Sequence, residues 1–95
     1  MPDPVNVNNN ESAHRFEAVI DGHTAFIDYK QRGDALILIH AEVPAALEGR
    51  GLGSALARAA FEHARAAHLK VVPHCPFAAG FLKRHPEYND LIRGS

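Results

Sequence analysis

Glu48-Gly49-Arg50-Gly51-Leu52-Gly53-Ser54 is a glycine-dense connection between an apolar, strand-like run (Ala35 to Val43) and a helix-like run (Leu52 to His68). Glycines let the backbone take positive φ and approach a ligand closely. The first turn of a following helix adds unpaired N–H groups and the positive end of a dipole, which together favour a phosphate. The same stretch decides the fold. A strand at 36–42, a helix and a short strand at Leu69-Lys70-Val71-Val72-Pro73 make a β-α-β unit, which almost always links parallel strands by a right-handed crossover.

Upstream of this unit lie two more β-type runs, Arg15 to Ile20 and Thr24 to Tyr29, before the run that begins at Ala35. Asp21-Gly22 and Gln31-Arg32-Gly33-Asp34 separate them with hairpin turn chemistry, so three antiparallel strands are expected. Downstream, Arg50 to His68 carries helical spacing, with Leu52, Leu56, Ala59, Ala60, Ala64 and Ala67 on one face. Pro76 suits the first turn of a second helix whose apolar stripe is Phe77, Ala78, Phe81 and Leu82. Lys83-Arg84-His85 place cations at its negative end before Pro86 stops it. The expected order is β-β-β-α-β-α, an α/β (α+β) chain with a mixed sheet. Met1 to Ser12, with Pro2, Pro4 and the run Asn8-Asn9-Asn10, has little to bury and reads as a flexible tail. Residues 13–95 read as a single domain.

Composition sets the outer limits. A chain of 95 residues with 46% hydrophobic content holds one core. Ten Lys and Arg against eleven Asp and Glu give a formal charge of −1, which offers no whole-chain attraction to nucleic acid or an anionic membrane. No stretch approaches a membrane span, and one cysteine makes no internal disulfide, so a soluble, cytoplasmic protein is expected. Nothing requires a homo-oligomer. No Cys-x-x-Cys or His-x-x-x-His pair suggests a metal site. A Walker-type loop would need Lys-Ser/Thr after the last glycine, and a dinucleotide domain would need more β-α units than this length holds.

Ligands in sheets of this kind sit beyond the carboxyl ends of the strands. His40, Ala41, Glu42 and Val43 from one strand, and His74 and Cys75 from the other, should therefore converge beside the glycine turn. Cys75 precedes Pro76 at a helix N-terminus, where the dipole favours thiolate; the plainer reading is a small buried hydrophobe. His74, adjoining it on an extended chain, should face the other side of the sheet. His40 and Glu42 share one face two residues apart, the plainer reading of His40 being a packed strand histidine. His85 should cap and end the second helix.

Four blocks carry a resemblance: His40-Ala41-Glu42-Val43-Pro44, Gly49-Arg50-Gly51-Leu52-Gly53-Ser54-Ala55-Leu56, Val71-Val72-Pro73-His74-Cys75-Pro76-Phe77 and Arg84-His85-Pro86-Glu87-Tyr88. Together they resemble the short GNAT-type N-acetyltransferases of about one hundred residues, over about residues 13–93. The resemblance implies a minimal GNAT fold without the first helices of the longer enzymes. It implies that coenzyme A pyrophosphate is held by backbone N–H groups of Gly49, Arg50, Gly51, Leu52, Gly53 and Ser54, with Gly51 and Gly53 on the glycine positions of the family signature. Glu48 stands where the family usually has Gln or Arg, so Arg50 is the side chain left to help. Pantetheine is implied to lie between two splayed strands near Ala41 to Val43, with the acetyl group toward Cys75. The implied activity is transfer from acetyl-coenzyme A to an unidentified amine, small molecule or protein, most commonly in the family by direct transfer. From their own placement, a Cys75 thiolate could take the acetyl group and pass it on or simply sit near it, and His40 or Glu42 could accept the amine proton. The alternative is a coenzyme A or acyl-coenzyme A binding module without efficient catalysis.

Overall fold

The computed structural model describes residues 6–92, which form five strands and two α-helices. The strands are β1 (Asn8–Asn10), β2 (Arg15–Ile20), β3 (His23–Arg32), β4 (Ala35–Glu42) and β5 (Lys70–Pro73); the helices are α1 (Leu52–Ala66) and α2 (Pro76–Arg84). They build one sheet in the order β1-β2-β3-β4-β5, antiparallel except for the parallel β4–β5 pair. The expected β-β-β-α-β-α order therefore stands, with one strand added in front. Asp21 and Gly22 both take positive φ, 52° and 78°, the backbone that matches a two-residue turn to the twist of β2 and β3.

The added strand corrects the expectation that residues 1–12 form a loose tail. Asn8, Asn9 and Asn10 pair with Glu17, Phe16 and Arg15 of β2. Their side chains supply what apolar burial does not: Tyr29 donates its hydroxyl hydrogen to Asn9 Oδ1 at 2.8 Å, and Asn10 donates to Glu17 at 3.2 Å while accepting from the Ala13 amide. Asparagine is a poor strand former, so only these partners make the pairing legible. Residues 1–5 of that expected tail lie outside the described residues.

Alternation along the strands puts Phe16, Ala18, Ala25, Ile27, Tyr29, Leu36, Leu38 and Val71 on one face, all buried. Leu56, Ala60, Phe61 and Ala64 of α1 meet them, and Ala78 and Phe81 of α2 join the same cluster. The opposite face carries Arg15, Glu17, Val19, Phe26, Asp28, Ile37 and Ile39, none of them buried. Among the described residues, no helix is long and apolar enough to cross a membrane.

Helix α1 is shorter than the expected Arg50–His68 at both ends. Gly51, with φ 73°, is its N-cap. At the other end Leu69 donates its amide hydrogen to Ala64 O at 2.8 Å and His68 to Arg65 O at 3.3 Å, while His68 itself takes φ 58°. Those two bonds around a left-handed residue are a Schellman stop, which glycine usually fills. A histidine there hides the signal, and burial of Leu69 beyond it supplies the hydrophobic contact.

A 3₁₀ segment at Pro86–Leu91 was not expected from the sequence. It is anchored by Tyr88, 2% exposed, whose ring packs against Phe61 and Phe81. Its hydroxyl donates to Glu62 Oε2 and accepts from Arg58 Nη1. Burial first, then the bond given to Glu62, raises the phenol above its ordinary range. The expected helix-ending role of His85 holds: it is the C-cap of α2, stacked on Phe81 with ring centroids 4.3 Å apart.

Candidate active site at the glycine turn

The parallel pairing of β4 with β5 runs only from Ala35↔Lys70 to Leu38↔Pro73. Beyond it β4 continues to Glu42, whereas the chain after Pro73 turns into α2, pinned where the Cys75 amide donates to Leu38 O at 2.9 Å. The two strands thus part at the level of Leu38. At that point β4 carries a bulge. Asp28 faces His40 and Tyr29 faces Leu38, so Ile39 has no residue opposite it. The extra residue turns His40 onto the open face, where a regular alternation would bury it.

From Glu42 the chain passes through a 3₁₀ turn at Ala45–Leu47 into the glycine loop and α1. Val43, Leu47, Glu48, Gly49, Gly51, Leu52, Gly53, Ser54 and Phe77 enclose a groove of about 400 Å³. Gly49 and Gly51 take φ 82° and 73°, conformations that side-chain-bearing residues rarely adopt, and the space above both is open. Gly51 makes no side-chain cap, and the first turn of α1 contains no acidic residue. The N–H groups of Leu52, Gly53 and Ser54 therefore have no acceptor within the helix and sit at its positive end. An anionic group fits this donor set.

The third glycine has a different reason. A Cβ on Gly53 would collide with the outer edge of the Phe77 ring of α2, so any other residue there would have to displace that ring. Phe77 itself departs from its expected place in the apolar stripe. It is 38% exposed at the groove, while Ala78 and Phe81 are fully buried. Leu47, Phe77 and Asp21 are the contributors that sequence reasoning missed; only the closeness of Phe77 to Pro76 at a helix start hinted at a position near the strand ends. Arg50, expected to meet phosphate, points its guanidinium at Asp21 of the β2–β3 turn, 3.4 Å away. Glu48 stands exposed on the groove wall.

The structure brings His40 and Glu42 together, Nε2 to Oε2 at 3.5 Å, both well over half exposed. Ala41 between them points the other way and packs against the core. Cys75 does not join them. Its side chain is 3% exposed within the buried cluster, the plainer of its two expected roles, and it serves α2 as N-cap with Pro76 in the first turn. His74 is exposed, as expected from its opposition to Cys75. A cavity of similar size, about 420 Å³, lies near the far end of β3 among Glu11, His14 and Tyr29 to Arg32, with neither a glycine turn nor a helix start. There, burial raises the Tyr29 phenol against the lowering effect of its bond to Asn9.

Two comparisons bear on this arrangement. The family profile described as GCN5-related N-acetyl-transferase matches residues 15–91. The solution structure of a candidate GCN5-like N-acetyltransferase from Staphylococcus aureus superposes with a TM-score of 0.74 at 28% sequence identity, covering 98% of this chain and 92% of that one.

Proposed function

The chain belongs to the GCN5-related N-acetyltransferase family, an acyltransferase family, and from that premise we propose that it moves an acetyl group from acetyl-coenzyme A to an amine. The observation that supports this reading best is the groove beside the parting of β4 and β5, floored by the uncapped amides of Leu52, Gly53 and Ser54. Those amides and the open backbone at Gly49 and Gly51 would hold the pyrophosphate, with Arg50 released from Asp21 to add a cation. Main chain at Ala41 to Val43, beyond the point where β5 stops pairing, would hold the pantetheine arm.

Acyl transfer needs an unprotonated amine. In this reading His40 or Glu42 takes the proton; the amine nitrogen forms a bond to the acetyl carbon, the carbon–sulfur bond breaks, and the departing thiolate takes up a proton. Direct transfer uses only residues on the open face. A covalent route through Cys75 would need the thiol to leave its buried environment, because the thiolate is the nucleophile. The test is calorimetric titration with acetyl-coenzyme A, followed by mass spectrometry for a gain of roughly 42 Da, one acetyl group on a nucleophile. Binding without an adduct, with turnover across a panel of amines that Cys75→Ala retains, is the expected result. Binding with no turnover on any amine would favour a coenzyme A binding module; no binding would overturn the reading altogether.

A further inference from the structure

Residues 48–54 all line the groove before α1 except Arg50. Its backbone runs between Gly49 and Gly51, both at positive φ, and its side chain leaves the groove for the β2–β3 turn, where Nη1 donates to Asp21 Oδ2 at 3.4 Å. That turn is within reach because β3 runs antiparallel to β4. With Phe26 opposite Glu42, the start of β3 sits at the end of β4 from which the chain leads to the glycine loop. Asp21 is fixed by its own backbone, φ 52° in a two-residue hairpin. Among the described residues neither Asp21 nor Arg50 has a second ion pair.

The groove at rest is therefore poorly charged for an anion. Glu48 stands on its wall as a carboxylate, while the one cationic side chain of the loop is turned outward. We propose that Asp21 is a latch on Arg50: it withholds the guanidinium from the groove, and an incoming phosphate must take Arg50 from it. This role rests on the reading of the groove as a phosphate site, and adds to that site a positioning residue that lies outside it. Competition favours the phosphate once it is bound. The Asp21 contact is a single long bond between groups 52% and 73% exposed on the Arg50 and Asp21 sides, the weak and screened kind of pair. A phosphate held by the N–H groups of Leu52, Gly53 and Ser54 can instead receive a guanidinium through two parallel bonds. The latch lowers affinity without closing the site, and an exposed pair sets its scale at about threefold.

The experiment is a calorimetric double-mutant cycle on the full chain, titrated with acetyl-coenzyme A and separately with inorganic pyrophosphate. Its members are the wild type, Asp21→Asn, Arg50→Gln and the double variant. Asparagine takes a left-handed φ as readily as aspartate, so the hairpin is kept; Asp21→Gly, equally suited to φ 52°, is the second variant at that position. Asp21→Asn should bind acetyl-coenzyme A about threefold more tightly than the wild type, with the gain shrinking as salt rises. In the Arg50→Gln background the same substitution should have no effect, which neither a bystander charge nor a merely structural turn residue would produce. No gain from either Asp21 variant, or a gain that persists in the Arg50→Gln background, overturns the latch and leaves the acetyl-transfer reading standing. A cycle obeyed by pyrophosphate in a protein that binds no acetyl-coenzyme A upholds the latch and overturns that reading; binding of neither anion overturns both.

Discussion

The two faces of the sheet are built from the same strands, and neighbouring residues fall into opposite environments. Leu38 is fully buried beneath α1 and α2, while Ile39, the next residue, is 42% exposed. One face has both helices packed on it and holds the fold. The other has no side chain fully buried and carries His40, Glu42 and Phe26. The bulge at Ile39 is the hinge between the two roles, since it ends strict alternation where β4 and β5 part. Stability and the proposed chemistry thereby fall on different surfaces, and a change on one should leave the other largely intact.

That separation breaks most visibly at Leu38 and Ile39. Leu38→Ala should cost about 2–5 kcal/mol through lost burial and the cavity left behind, whereas Ile39→Ala should stay within about 0.5 kcal/mol. Urea unfolding of the two variants decides it; equal losses would mean that the open face is covered in solution. Gly53→Ala tests the groove, where the faces meet. Its methyl would displace the Phe77 ring, and coenzyme A affinity should fall about tenfold, or roughly 1.4 kcal/mol. Adding Phe77→Ala should restore affinity if crowding is the cause, and a double variant as weak as the single one would assign Gly53 to the phosphate instead.

On the covered side, Tyr88→Phe should cost about 1 kcal/mol by removing the hydroxyl between Glu62 and Arg58. The Tyr88 phenol is raised in the folded state, so its contribution is complete below the unfolded value near 10 and is lost as pH rises through the folded one. Stability curves of wild type and Tyr88→Phe should therefore converge at alkaline pH. The smallest effect is a gain. His68→Gly at the helix stop should stabilise by about 0.5 kcal/mol, because glycine takes φ 58° without strain; a fall in melting temperature would mean that the histidine ring makes a contact of its own.

Much of this architecture was legible because its signals are local. Asp21-Gly22 specifies a tight hairpin, alternation over Phe16, Ala18, Ala25 and Ile27 specifies a buried face, and Pro76 marks the start of α2. The glycine loop was legible for the same reason: Gly49 and Gly51 report backbone conformations that other residues rarely take. The asparagine strand and the segment around Tyr88 were not, because each depends on a partner distant in the chain: Tyr29 for Asn9, Glu62 and Arg58 for Tyr88. The stop at His68 was not, because a histidine holds the left-handed position that glycine usually marks.

By itself, then, the sequence determined the order of elements from β2 to α2, the hairpins and the anion-ready turn before α1, all of which follow from backbone preference and short-range periodicity. Only the tertiary structure decided that Gly53 lies against Phe77, that Arg50 pairs with Asp21, that Cys75 faces the core and that His40 faces out. Side-chain surroundings are set by which strand ends separate and which helix covers them, and a single bulged residue is enough to reverse the face on which a strand's chemistry appears.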